Sequence, residues 1–423
     1  MKSIVRIAGR GKGRRTEESK AVEPQVLEGL GTRVAMIQAL IPVALERVND
    51  LLQEELQALA GDRYARQGGV EGYVRWGQQA GSVYLADQKV PVQVPRVRDL
   101  RREAEVPLAS YQALRNPRQA DEVALGRVLR GLSCRDYQAC VQAVPETFGL
   151  SGSSLSRRFI RASQAKLQEL TERDLSDYDL VGLFLDGKTF GEDEMVIALG
   201  VTLQGDKVIL GFVQTASENE TVCRRFLEDL KDRGLRTEAG LLVVIDGSKG
   251  LAKAVKMVLK GRALVQRCQW HKRENVVRHL PKEQQPRWRR RLQKAYSQPT
   301  YAQAKAALVS LRKELEAVNL SAAGSLAEGL EETLTLHRLG LFGLLGRSFK
   351  TTNCIENMNS LVGLRTDKVD RWRNASQKHR WLAAALLEVE PRLRKVSGYQ
   401  HLGRLRSAVQ AALAGQGAKH EAA

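Results

Sequence analysis

The chain has 423 residues, too many for one ordinary domain, and 43% of them are hydrophobic, which excludes an intrinsically disordered polymer. Its 67 basic and 48 acidic residues leave a formal charge of +19, a field that favours polyanions. No run of roughly eighteen apolar residues is present, and the basic start MKSIVRIAGRGKGRR lacks the apolar stretch of a secretory signal, so nucleic acid rather than a membrane is the expected partner.

Residues 1–20 read as a basic arm, and VAMIQALIPVALERVNDLLQEELQAL (34–59) carries apolar residues at helical spacing, with a break expected at Pro42. Residues 1–80 are therefore expected to form a basic arm and a helical region. SVYLADQKVPVQVPRVRD (82–99) reads as a β-hairpin whose second arm alternates Val90, Val92 and Val94 up to Pro95. Arg96 and Arg98 follow as candidate phosphate contacts. Three helices come next: Ala120–Arg130, Cys134–Val144 behind an N-cap at Ser133, and one starting near Ser153. Short helices joined by a Gly-containing turn fit a helix-turn-helix, so 81–172 is expected to be a DNA-binding domain. Ser153, Ser154, Arg157 and Arg158 would then lie on the first turns of the recognition helix.

After Tyr178 the texture changes to short continuous apolar runs in the order β-β-β-α-β-α-β: LVGLFLD, MVIALGVTL, VILGFV, a helix, LLVVID, a helix and ALVQRC. Short turns make the first three strands antiparallel, and the helix lets the fourth return parallel to the first. This order matches a ribonuclease H-like α/β core, in which the first and fourth strands are central neighbours. The acids ending those strands, Asp186 and Asp246, are then brought together. A pair of carboxylates in one place repels, and a divalent cation relieves the repulsion.

A third ligand is expected in KTTNCIENMNSLVGL (350–364), where Ile355, Met358 and Val362 form an apolar stripe and Glu356 adjoins it. Glu192, Glu194, Glu218 and Glu274 are rivals, the first two read as facing solvent in a turn. Hard carboxylate oxygens suit Mg²⁺, with Mn²⁺ as a substitute. The stretch 276–345 reads as a helical insertion between core segments 173–275 and 346–395, with a tail over 396–423. Its Trp288 and Tyr296 interleave with arginines, a pattern suited to backbone contact with occasional base stacking. Arg289 and Arg290 there, and Lys272 and Arg273 just before it, are candidate DNA contacts. Five scattered cysteines (Cys134, Cys140, Cys223, Cys268, Cys354) argue against a disulfide framework, and the C-x-x-H of Cys268 and His271 supplies only two of the four ligands a structural zinc takes.

Six motifs in sequence, PRVRD (95–99), GLSCRD (131–136), LDG around Asp186, DGSKGL (246–251), QRCQWHK (266–272) and TTNCIENMN (351–359), closely resemble the mutator-type transposases of bacterial insertion sequences. The resemblance runs from about Gly81 to Arg380. It implies that Asp186, Asp246 and Glu356 are a catalytic, metal-binding acid triad. It further implies that Cys268 and His271 match the family's C-x-x-H and support the active site. Asn353 belongs to the same motif. Lys350 stands where the family commonly has arginine, which keeps the charge but loses bidentate phosphate binding. The implied activity is metal-dependent cleavage at the ends of a mobile element and strand transfer by the freed 3′-hydroxyl. The implied partners are double-stranded DNA of the terminal inverted repeats and the target. The implied assembly is a dimer or higher, and the place of action the bacterial cytoplasm beside the nucleoid. A nuclease that does not join strands, and a DNA-binding regulator without catalysis, are the rival readings.

Overall fold

A computed structural model describes residues 44–64, 69–85, 88–115, 118–131, 152–215, 219–369 and 371–421. The described residues fall into two compact units, one up to residue 120 and one from 121 onward. The basic arm, the expected break at Pro42, and the second helix of the expected helix-turn-helix lie outside the described residues.

In the first unit, strands β1 (Tyr73–Leu85), β2 (Gln88–Asp99) and β3 (Ala104–Val106) form an antiparallel sheet. The alternation in β2 buries Val90, Val92 and Val94 on one side, and Val97, out of that phase beyond the register shift, joins the same core. A helix over 44–60 lays Val48, Leu52 and Leu56, one turn apart, onto that side. Strand β2 does not stop at Pro95. It runs on to Asp99 because the register shifts between Arg75 and Gln78 on the partner strand, opposite the proline that cannot donate. Strand β1 also crosses residue 81, where a domain boundary was expected. Glu55 closes this unit by accepting from the backbone N–H groups of Ala109 (2.6 Å) and Ser110 (2.9 Å) at the start of helix Ala109–Arg115.

The second unit is organised by a five-stranded sheet in the order β6-β5-β4-β7-β8, formed by β4 (Leu180–Phe190), β5 (Asp193–Thr202), β6 (Lys207–Thr215), β7 (Leu241–Ile245) and β8 (Ala263–Arg267). β4–β5 and β5–β6 are antiparallel, while β4–β7 and β7–β8 are parallel. The strands read as unbroken apolar runs because both faces are covered. In β7, Leu242 and Val244 enter one core while Leu241, Val243 and Ile245 enter the other. Helices Glu220–Asp232 and Lys249–Val258 cover the second face. The first face is covered by Gly152–Thr171, Phe342–Phe349, Asn353–Thr366, Ala375–Val389 and Leu402–Glu421.

Two placements depart from the sequence reading. The last of these helices begins in the expected tail and packs on the sheet through Leu402, Leu405 and Val409. The stretch 276–345 is helical, and Gln285–Tyr296, Tyr301–Val318 and Leu320–Ala327 surround a core of their own. Trp288 and Tyr296 belong to that core, 5% and 4% exposed, so they are not stacking surfaces for a base. With Leu292 and Ala295 they form the inward stripe of their helix, and the arginines between them take the outer faces.

Candidate active site

The parallel register pairs Leu185 of β4 with Ile245 of β7. The next residue on each strand's path is an aspartate, so Asp186 and Asp246 come side by side where β7 ends. Asp186, expected to end its own strand, instead lies within β4, which runs on to Phe190 paired with β5. Asp186 is 6% exposed. Asp246 begins a tight turn: it accepts from the Ser248 N–H (2.9 Å), Gly247 adopts φ +114°, and Ser248 caps the following helix through the Leu251 N–H. That φ is readily available to glycine and costly for a residue with a side chain.

Helix Asn353–Thr366 brings the third acid. Ile355, Met358 and Val362 are fully buried on the sheet, and their stripe leaves Glu356 half-buried toward the strand ends. Asp186, Asp246 and Glu356 line one open cleft of about 790 Å³. Lys188, Trp270, His271, Asn359 and Ser360 also line it. So do two further acids, Glu194 and Asp367. Glu194 was read as facing solvent, but its register opposite Thr189 sets it on the cleft wall. Glu192 is exposed, and Glu274 is tied to Arg273 (3.1 Å) and Arg289 (2.9 Å).

Behind Glu356 runs a short polar relay. Cys268 is the N-cap of helix Gln269–Arg278, its sulfur accepting from the His271 backbone N–H, which accounts for the three-residue spacing of the C-x-x-H. Thr352, fully buried, places its hydroxyl 3.5 Å from the Cys268 sulfur and 3.4 Å from His271 Nδ1, and donates to Glu356 Oε1 at 2.6 Å. The His271 Nε2 lies 3.9 Å from the same carboxylate oxygen. Burial alone would lower the His271 pKa, but the bond and charge of Cys268, with Asp186 and Asp246 nearby, outweigh it and raise it to about 9. The Cys268 thiol is lowered: burial works against this, and the hydrogen bonds from His271 overcome it.

As these side chains stand, no group of three or more His, Cys, Asp or Glu among the described residues forms a ready-made metal site. The donor chemistry nonetheless fits a hard cation, since the cleft offers the carboxylate oxygens of Asp186, Asp246 and Glu356.

The other expected site residues are dispersed. Lys350 ends helix Phe342–Phe349, its carbonyl accepting from the Gln269 N–H and its ammonium 5.6 Å over the Phe342 ring. Asn353 is exposed at the start of the Glu356 helix, outside the cleft lining. Arg96 is paired with Glu105 (2.9 Å), and Arg98 stacks over Trp76 at 4.6 Å. On helix Gly152–Thr171, Ser153 and Arg157 are exposed but Arg158 is 5% exposed, and Phe159 of that helix packs on Trp381 at 4.8 Å. The side chain of Ser154 lies outside the described residues. Arg290 is exposed, whereas Lys272 is fully enclosed.

Sheet order, adjacent acids on the central parallel strands and an open cleft completed by a helix-borne glutamate define a mixed α/β protein with an acidic site beside its central parallel pair. Residues 30–394 match the family described as Transposase, Mutator family, and the chain belongs to that family. It is similar to the transposase for insertion sequence element IS256 in transposon Tn4001 of Staphylococcus aureus, at 28% identity over 70% of this chain and 76% of that protein. It is likewise similar to the transposase of element ISRM5 of Rhizobium meliloti, at 26% identity over 87% of this chain and 93% of that protein. The transposase of element IS905 of Lactococcus lactis is 25% identical over 79% of this chain and 85% of its own length.

Proposed function

We propose that the chain is a DNA transposase that cleaves at the ends of an insertion sequence and joins the freed 3′-hydroxyl to target DNA, with Asp186, Asp246 and Glu356 as its catalytic acids. The observation that carries this reading is the parallel pairing of β4 and β7, which sets two acids side by side where β7 ends. The element order and the mixed sheet support a ribonuclease H-like core.

Asp186, Asp246 and Glu356 would hold Mg²⁺ or Mn²⁺, with Glu356 turning from Thr352 toward the aspartates. Two such ions, when bound, supply activation of water or a 3′-hydroxyl on one side of the phosphate and stabilisation of the leaving oxygen on the other. The chain's own groups do the rest. The buried sheet holds Asp186 rigidly, the Asp246 turn fixes its backbone, and Thr352 limits where the Glu356 carboxylate can go. Lys188 on the cleft wall offers a positive contact for the strand that enters. Helices Arg118–Leu129 and Gly152–Thr171 are read as parts of a helix-turn-helix that engages the element end, and the working form as a dimer or higher on DNA.

The test is a strand-transfer assay with a pre-cut element end, in Mg²⁺ and then Mn²⁺. Wild-type protein yields products longer than the input strand. Asp186→Asn, Asp246→Asn and Glu356→Gln each lower the yield by at least about a hundredfold while leaving DNA binding in place. Undiminished joining by any of the three variants defeats the assignment of that acid. Cleavage with no longer product defeats the joining step.

A further inference from the structure

Directly beyond the Asp246 turn, two cations are buried together. Lys272 is 0% exposed and the Arg267 side chain 7% exposed. The guanidinium of Arg267 occupies a slot between Gly247 and Gly329, where a Cβ on either glycine would collide with it. Its Nε has no hydrogen-bond partner. One carboxylate serves both cations: Glu328 lies 3.5 Å from Lys272 Nζ and 3.5 Å from Arg267 Nη2, and it is also 3.9 Å from the exposed Lys249 Nζ. Close charge-assisted contacts run at about 2.7–2.9 Å, so these three are slack. Glu328 itself is 46% exposed and has room to rotate into solvent.

Glu332 adds a more distant negative charge to Lys272 and is itself paired with Lys256 (3.6 Å), so the three cations share one loose acid at close range. The cluster carries excess positive charge, and buried charge without close compensation is costly. The strain registers on Lys272, where burial first and the neighbouring Arg267 second push the ammonium down to about 8. Lys249 also opens helix Lys249–Val258, whose first N–H groups add partial positive charge. The cluster is therefore short of negative charge, at a place joined to Asp246 by a single glycine.

We infer that Arg267, Lys272 and Lys249 form a site for one backbone phosphate of DNA, and that Glu328 is the internal anion that occupies it until DNA arrives. This rests on the transposase reading above and adds a contact beside the acid cleft. A diester phosphate brings two unshared oxygens, which suits the forked Arg267 with Lys272 behind it and Lys249 at the rim. Entry of the phosphate would release Glu328, a carboxylate of the helical insertion, so binding there would be sensed in that insertion.

The experiment measures binding of the full chain to a mixed-sequence 40-base-pair duplex by fluorescence anisotropy, without divalent ions, between 50 and 200 mM salt. Glu328→Gln is compared with Glu314→Gln, an equally exposed acid (46%) of the same insertion that is closely paired with Arg291. Glu328→Gln is expected to tighten binding about tenfold, because the phosphate no longer has to displace an internal carboxylate, while the slope of log affinity against log salt, which counts the phosphates engaged, stays as in the wild type. Glu314→Gln should move neither by more than about twofold. Lys249→Gln, at a side chain 89% exposed and tolerant of change, should weaken binding and flatten the slope by about the same 0.9. Equal behaviour of the two glutamate variants, or an unchanged slope in Lys249→Gln, overturns the site while leaving the catalytic assignment intact. A wild-type chain that binds no duplex overturns both.

Discussion

The hydroxyl of Thr352 has one proton to give, and it gives it to Glu356 while its oxygen faces Cys268 and His271. It stands at the N-cap of the Glu356 helix yet makes no capping bond, so its hydroxyl is free for this task. Removing the hydroxyl frees the carboxylate and breaks its tie to the C-x-x-H pair. Thr352→Val should lower cleavage about 10- to 100-fold and raise the Mg²⁺ concentration for half-maximal rate, whereas Thr352→Ser should restore most of both. A valine variant with unchanged rate and metal dependence would leave Thr352 a packing residue only. Asp186 and Asp246 could be found in the sequence because a charged residue ending an apolar run is conspicuous, and strand order says which strands adjoin, although β4 itself continues past Asp186. Glu356 depended on resemblance to a family. Asp367 had no such mark, Thr352 stood out only as part of a motif, and Glu194 was weighed as a rival but read as facing solvent, since their places follow from helix phase and strand register, which a sequence pattern does not fix. Trp288 and Tyr296 were misread for the same reason, their aromatic character being plain and their helical phase not.

At the scale of elements, the acid pair depends on how tightly β4 is held. Gly182 lies in β4 beneath Phe349, and a Cβ there would come 2.7 Å from the Phe349 ring. That ring is fully buried and 5.4 Å from Phe184, so it has little room to yield. Gly182→Ala should cost about 1–3 kcal/mol, read as a lower midpoint in denaturant with an unchanged slope. Stability equal to wild type would show that helix Phe342–Phe349 shifts freely over the sheet. The apolar strands were legible as unbroken apolar runs, and the helical insertion by its lack of strand texture. The extent of β2 was not, because a bulge on the opposite strand allows it to continue past Pro95. Nor was the helix Leu402–Glu421, whose low amphipathic contrast hid a face that packs on the sheet.

For the molecule as a whole, the charge of +19 makes a prediction that needs no single residue. Duplex binding should fall about a thousandfold or more between 50 and 200 mM salt, as expected for six or more phosphate contacts. Affinity nearly flat over that range would mean that the excess positive charge is spread over the surface rather than gathered where DNA binds. Composition alone pointed to the polyanion, because net charge is a sum and needs no fold.

The cleft draws its three proposed acids from segments far apart in the chain, with the helical insertion between Asp246 and Glu356. This gives the site an order in time. During synthesis the strand pair holding Asp186 and Asp246 is complete roughly 110 residues before Glu356 is made, a delay on the order of ten seconds at about 5–20 residues per second. A nascent or truncated chain that stops within the insertion has strands and basic surfaces but lacks the third acid. Such a product would be able to occupy DNA before it was able to cut it.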